Sequence, residues 1–169
     1  NYKSYSLWWA RRSFDQKNRL WGSLPGTKKE ADIISKITNA KLFLEDEASA
    51  LNIQMEVSPK ILHIATHYFY IGDNKDDNLF SENIFSNSIT NNKRIENPLL
   101  RSGIVLAGAN YPDKNLKDDG YLTALEVSKL NWNGTELVVV SGCESGQGDL
   151  KSGDGVYGLK RAIAVAGAR

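Results

Sequence analysis

The sequence holds a single cysteine, a single methionine and two histidines among 169 residues. A lone cysteine excludes an internal disulfide and suits a reducing, cytoplasmic compartment. No apolar stretch approaches the ~20 residues of a bilayer-crossing helix, so no membrane span is expected. The opening residues Asn1-Tyr2-Lys3-Ser4 lead into polar and aromatic positions without the h-region of a signal peptide. Charge of one sign is also missing, because 21 basic residues stand against 20 acidic ones for a formal net charge of +1. The basic residues are scattered, with Arg11-Arg12 and Lys28-Lys29 the densest pairs, so no nucleic-acid partner is expected. The glycine-rich stretch 142–148 contains neither a G-x-G-x-x-G nor a Walker pattern, and Ser145 does not sit in G-x-S-x-G. Internal repeats are absent too.

What is present suffices for a core: 41% of the residues are hydrophobic, enough for one ordinary globular domain. Residues 1–20 carry aromatic and basic groups without a clean period and read as a linker or N-terminal arm. Leu24-Pro25-Gly26 reads as a turn, and Thr27-Lys28-Lys29-Glu30 as a capping box opening a helix with Ala31, Ile34 and Ile37 on one face and Ile33 beside them. Lys41-Leu42-Phe43-Leu44 is a short strand, and a second helix is expected to bury Ala48, Leu51 and Met55. A strand follows at Ile61-Leu62-His63-Ile64-Ala65-Thr66-His67. Residues 72–97 are a long polar stretch, which points to a functional or disordered loop. The segments Gly103-Ile104-Val105-Leu106-Ala107 and Gly120-Tyr121-Leu122 suit an antiparallel hairpin, and Thr123-Ala124-Leu125-Glu126 is a second capping box. Leu137-Val138-Val139-Val140-Ser141 is a β-branched strand, and the last helix is expected to start at an Asp154 cap and end near Gly167. Strand, helix and strand in alternation argue for parallel pairing through crossover connections. The chain starts without methionine and stops where a helix hands over to another strand, so we expect an excerpt of a larger protein, truncated at both ends.

Two strands thus end on chemistry, one on His67 and the other on Cys143. Open α/β sheets place their sites outside the carboxyl ends of strands. A thiol is a strong nucleophile only as thiolate, and a histidine supplies that form by taking its proton and later handing it to a leaving amine. Small residues around Cys143 let a substrate carbonyl approach backbone amides able to hold an oxyanion. His63, inside its strand, reads as a core residue. His63 and Cys143 together with His67 do not make a metal site, because the i, i+4 histidines sit on a strand pattern and lack the glutamate of a zinc peptidase. No metal or other cofactor is expected.

The segment Ser141-Gly142-Cys143-Glu144-Ser145-Gly146 and the strand before it resemble the cysteine motif of CHAT domains, caspase-like domains of bacterial proteins that often carry TPR repeats. Leu24-Pro25-Gly26-Thr27, Ile61 to His67, Asn97-Pro98-Leu99-Leu100-Arg101-Ser102-Gly103, Leu106-Ala107-Gly108-Ala109-Asn110 and Asp119-Gly120-Tyr121-Leu122-Thr123-Ala124-Leu125-Glu126 are similar to that family as well. So is the segment running from Gly155-Val156-Tyr157-Gly158-Leu159 to Gly167-Ala168-Arg169. The resemblance covers residues 21–169. It implies an α/β, caspase-like fold: a mostly parallel sheet flanked by helices, with an accessory β-hairpin. It further implies a cysteine endopeptidase in which His67 and Cys143 form the dyad and the backbone amides of Tyr68 and Cys143 hold the oxyanion. The family usually has glycine where this chain has Tyr68, which keeps the N–H but adds bulk. Glu144, Asp149 and Asp154 are the candidates for binding a substrate side chain. The implied partners are a protein substrate and regulatory domains or TPR-type repeats. The alternative is a catalytically silent caspase-like scaffold for protein–protein signalling.

Overall fold

The computed structural model describes the backbone of residues 4–8 and 154–156, and residues 21–70, 97–111, 118–142 and 157–169 in full. Strands β1 (Ser4–Trp8), β2 (Lys41–Leu44), β3 (Ile61–Ala65) and β7 (Leu137–Ser141) form a parallel sheet in the order β2-β1-β3-β7. A second, antiparallel sheet holds β4 (Tyr68–Tyr70), β5 (Ser102–Val105) and β6 (Tyr121–Thr123) in that order. The chain is therefore mixed α/β, and the expected antiparallel pairing of β5 with β6 forms. The polar stretch 72–97 lies outside the described residues except for Asn97, whose side chain accepts from Leu99 N–H to cap the short 3₁₀ turn Pro98–Leu100.

The N-terminal segment departs from expectation at residues 4–8. Residues 4–8 are not part of a linker or arm but a strand paired on both sides, with Ser6 opposite both Leu42 and His63. The alternation Ser4-Tyr5-Ser6-Leu7 carries the strand period, but over so few residues that only the neighbouring strands make it decisive.

Strand β3 is apolar apart from His63 because both of its faces are covered, as parallel strands require. Leu62 and Ile64 enter the main core with Ile53, Ile104, Leu122, Val127, Trp132 and Ala162. His63 and Ala65 face helix α1 (Pro25–Thr38): Ala65 packs with Ala31, and His63 Nε2 donates to Glu30 Oε1 at 2.9 Å. That contact explains why the expected Thr27–Glu30 capping box is absent. Pro25 starts the helix directly after Leu24, so Thr27 turns its hydroxyl back to Leu24 O while Glu30 reaches across to β3. Helix α2 (Ala50–Met55) also differs from expectation, since it buries Ala50 and Ile53 and leaves Leu51 and Met55 exposed. Its register is set by Ser49, whose side chain caps Asn52 N–H.

The remaining helices follow the sequence more closely. Helix α3 (Ala124–Val127) opens on the Thr123–Glu126 capping box with both reciprocal hydrogen bonds made. Helix α4 (Asp154–Val165) has Asp154 as its first residue rather than as a cap outside it, and buries Leu159 and Ala162 against the core. Its end is marked by Gly167 at a left-handed φ of 101°. Among the described residues no helix is long and apolar enough to cross a membrane.

Candidate active site

The two sheets meet at Thr66, between β3 and β4. Its N–H donates to Ser141 O at 2.9 Å, tying it to β7, and its hydroxyl donates to Val105 O at 2.6 Å, tying it to β5. The next residue, His67, accepts at its own carbonyl from Val105 N–H at 2.9 Å. His67 is thereby held by its backbone at the seam of the two sheets, and the residue is only 5% exposed.

The His67 ring is oriented by a segment distant in sequence. Its Nε2 lies 2.7 Å from the carbonyl oxygen of Gly22, and its ring centroid lies 5.3 Å from that of Trp21. A carbonyl only accepts, so its chemistry assigns the hydrogen to Nε2; in the neutral ring Nδ1 is then the proton acceptor. Trp21 belongs to a second apolar cluster with Phe69, Val105, Ala109 and Tyr121, which fills the space under the antiparallel sheet.

Strands β3 and β7 are parallel neighbours in register, with Ala65 opposite Ser141. His67 lies two residues beyond that pair on one strand, and Cys143 two residues beyond it on the other. Gly142 packs so closely on the turn after β3 that a Cβ there would sit 2.0 Å from Thr66 O and 4.0 Å from His67 Cα. Cys143, Glu144 and Asp149 lie outside the described residues, and Asp154 opens α4. His63 stays away from the site, on the α1 side of the sheet with Glu30. Among the described residues no group of three His, Cys, Asp or Glu side chains is placed to hold a metal ion.

Tyr68 pairs with Ile104 across β4 and β5. Because Val105 N–H bonds His67 O one pair earlier, the hydrogen-bonded pairs of this ladder fall on His67 and Phe69. The alternation of an antiparallel ladder therefore turns the Tyr68 N–H away from β5. Beside it runs an apolar groove of about 580 Å³ between β7 and α4, walled by Tyr68, Val138, Val140, Gly142, Leu159 and Ile163, with Lys160 and Arg169 also lining it.

Two acidic residues near this region are structural. Asp118 is buried, accepting from Leu51 N–H at the start of α2 and from Gly120 N–H. Asp119 accepts from Tyr121 N–H at 2.9 Å. Although part of Asp119 meets solvent, desolvation of its carboxyl raises its pKa above the ordinary 3.8, with the charges of Glu126 and Asp118 adding and the Tyr121 N–H opposing. Burial likewise raises the Tyr121 phenol, opposed by its hydrogen bond from Trp21, so it stays an O–H at neutral pH. Neither Thr66 nor Trp21 nor Asn110 was expected as a site residue. Thr66 and Asn110 lie in segments that carry the family resemblance, and Trp21 lies only at the edge of the span it covers.

The family model of the CHAT domain matches residues 3–169, a span that includes β1. No curated protein and no solved structure matches the chain at a significant level.

Proposed function

From the membership of this chain in the CHAT domain family, a caspase-like peptidase-related family, we propose that it is a cysteine endopeptidase domain acting through His67 and Cys143. The observation that carries the reading is the register of β3 and β7. These parallel neighbours end together at Ala65 and Ser141, with His67 following one and Gly142-Cys143 following the other across a backbone contact that only glycine permits. A caspase-like fold is part of the same reading.

In this mechanism Nδ1 of His67 takes the proton of the Cys143 thiol. The thiolate adds to the scissile carbonyl carbon, and the resulting oxyanion is held by the backbone N–H groups of Cys143 and Tyr68. The tetrahedral species collapses to a thioester, expelling an amine that receives the proton from His67. Water then adds with His67 again as base, releasing the acid and restoring the thiol. Throughout, the Gly22 carbonyl accepts from Nε2–H and so leaves Nδ1 as the nitrogen that takes and returns the proton. The turn of the Tyr68 N–H away from β5 supports its oxyanion role.

The domain works in the cytoplasm within a larger bacterial regulatory protein, cutting a protein partner under control of further domains or TPR-type repeats. Glu144, Asp149 or Asp154 selects a basic residue before the scissile bond. A second reading, a silent scaffold for protein–protein signalling, is favoured only by the bulk of Tyr68, which is half-buried beside the groove.

Digestion of a proteome-derived peptide library, read by mass spectrometry for new termini, separates the two. Wild type is expected to cleave, and Cys143→Ala and His67→Ala are expected to fold and not cleave, failing together as members of one unit. Cleavage by folded Cys143→Ala removes the nucleophile assignment. No cleavage by wild type joined to its regulatory domains favours the scaffold.

A further inference from the structure

The carbonyl that orients His67 belongs to Gly22, a residue with little to hold it. Gly22 is exposed, and a Cβ placed on it would find nothing within 4 Å. Its neighbour Trp21, in contrast, is gripped at three points. The carboxamide of Asn110 spans the Trp21 backbone, Oδ1 accepting from Trp21 N–H at 2.8 Å and Nδ2 donating to Trp21 O at 3.0 Å. The two bonds fix the orientation of the amide, since the flipped form would set N–H against N–H and oxygen against oxygen. The indole Nε1 then donates to the Tyr121 hydroxyl at 3.0 Å, and that hydroxyl points on to Ala109 O at 3.4 Å. Trp21 is 5% exposed and Tyr121 7%, so these bonds form in a dry setting where unmade partners are costly.

The clamp joins segments 89 residues apart, and its far side is built as tightly as its near side. Gly120, just before Tyr121, has a left-handed φ of 78° and lies so close to Ala109 that a Cβ would fall 2.0 Å from Ala109 N. The turn carrying Asn110 is thus seated directly on the start of the strand carrying Tyr121, and the two grips act as one body.

We propose that Asn110, supported by Tyr121, is a positioning residue for His67: it fixes the Trp21-Gly22 strap, keeps the Gly22 carbonyl on Nε2, and so holds the ring in the tautomer whose Nδ1 is basic. The effect on the ring follows from the hydrogen bonds alone, and the effect on thiol chemistry rests on the dyad reading above. Asn110 acts through the Trp21 backbone and the Gly22 carbonyl that follows it.

Nitrogen-15 NMR of histidine-labelled protein reads the ring directly, because the chain has only two histidines and His63→Gln assigns them. Wild-type His67 is expected to show one Nε2–H tautomer with a slowly exchanging ring proton. Asn110→Ala, which removes both bonds, is expected to give mixed tautomers and fast exchange. Asn110→Asp keeps the shape and the acceptor for Trp21 N–H but opposes Trp21 O with oxygen, and is expected to do the same. Tyr121→Phe, which deletes one hydroxyl, is expected to do so in part, and it carries the test if both Asn110 variants fail to fold. Alkylation of Cys143 at about pH 6.5 should fall by about tenfold in the Asn110 variants, since a free thiol is mostly protonated there. An unchanged His67 tautomer in a folded variant overturns the clamp. An altered tautomer with alkylation that is also indifferent to His67→Ala overturns the dyad reading and leaves the clamp standing.

Discussion

Adding one methyl group at residue 142 tests the packing on which the site depends. The Cβ of Gly142→Ala would lie 2.0 Å from Thr66 O, more than an ångström inside ordinary contact, and 3.2 Å from Thr66 C. Neither partner can step aside cheaply, because both are backbone and Thr66 is tied to Ser141 at 2.9 Å and to Val105 at 2.6 Å. The strain therefore falls on the exit of β7, the residue before Cys143. Overpacking of this kind costs about 1–3 kcal/mol, which for a domain of this size lowers the melting temperature by roughly 2–12 °C. The catalytic cost is larger, since a misplacement of about 1 Å in a reacting pair can cost about a hundredfold in rate. Peptide cleavage and a thermal melt measured on the same preparation separate the two effects. Gly26→Ala is the control: it lies in α1 with nothing within 4 Å of its Cβ, and is expected to melt at or above wild type with full activity. A Gly142→Ala protein with wild-type melting and turnover would show that the two strand exits do not pack as described.

Three further outcomes follow from particular contacts. Thr66→Val keeps the shape but leaves Val105 O without its 2.6 Å donor, and is expected to lower stability by about 1–2 kcal/mol in a denaturant melt; no change would mean that the hydroxyl is not what joins the sheets. His63→Ala removes the Glu30 partner from the α1 face, so it should lower the melting temperature and spare turnover per folded molecule; selective loss of turnover would place His63 in the chemistry. The raised pKa of Asp119 means that the folded state holds its proton more tightly than the unfolded chain. Stability from this group is therefore full below pH 3.8 and declines as pH rises through the folded value. Asp119→Asn keeps the acceptor for Tyr121 N–H, and should melt no lower than wild type at neutral pH and flatten that acid-side slope; a lower melt at neutral pH would contradict the sign.

Strands β2, β3 and β7 were legible from sequence because each is a short apolar run bounded by polar or turn residues. Local chemistry was legible too where partners are close in the chain, as at the Thr123–Glu126 box and the left-handed Gly167. What sequence could not decide was competition between local and distant partners. Glu30 had a capping role open to it three residues back and instead bonds His63, thirty-three residues away. Leu51 and Met55 share a helical face, yet Ser49 starts the helix so that Ala50 and Ile53 are the ones that turn inward. Strand β1 needed both neighbours to distinguish it from an irregular arm. For the site, the strand exit carrying His67 was readable, but the Trp21–Asn110 clamp was not, since no local period encodes an amide reaching across 89 residues.

The dyad is tested most directly at the cysteine, which is the only one in the chain, so its alkylation by iodoacetamide has one meaning. At about pH 6.5 a free thiol is about 1% thiolate. The account predicts that wild-type Cys143 is alkylated there well over tenfold faster than free cysteine, and that His67→Ala, folded by its melt, loses that advantage while His63→Ala keeps it. Equal rates for wild type and His67→Ala across the pH range would contradict it.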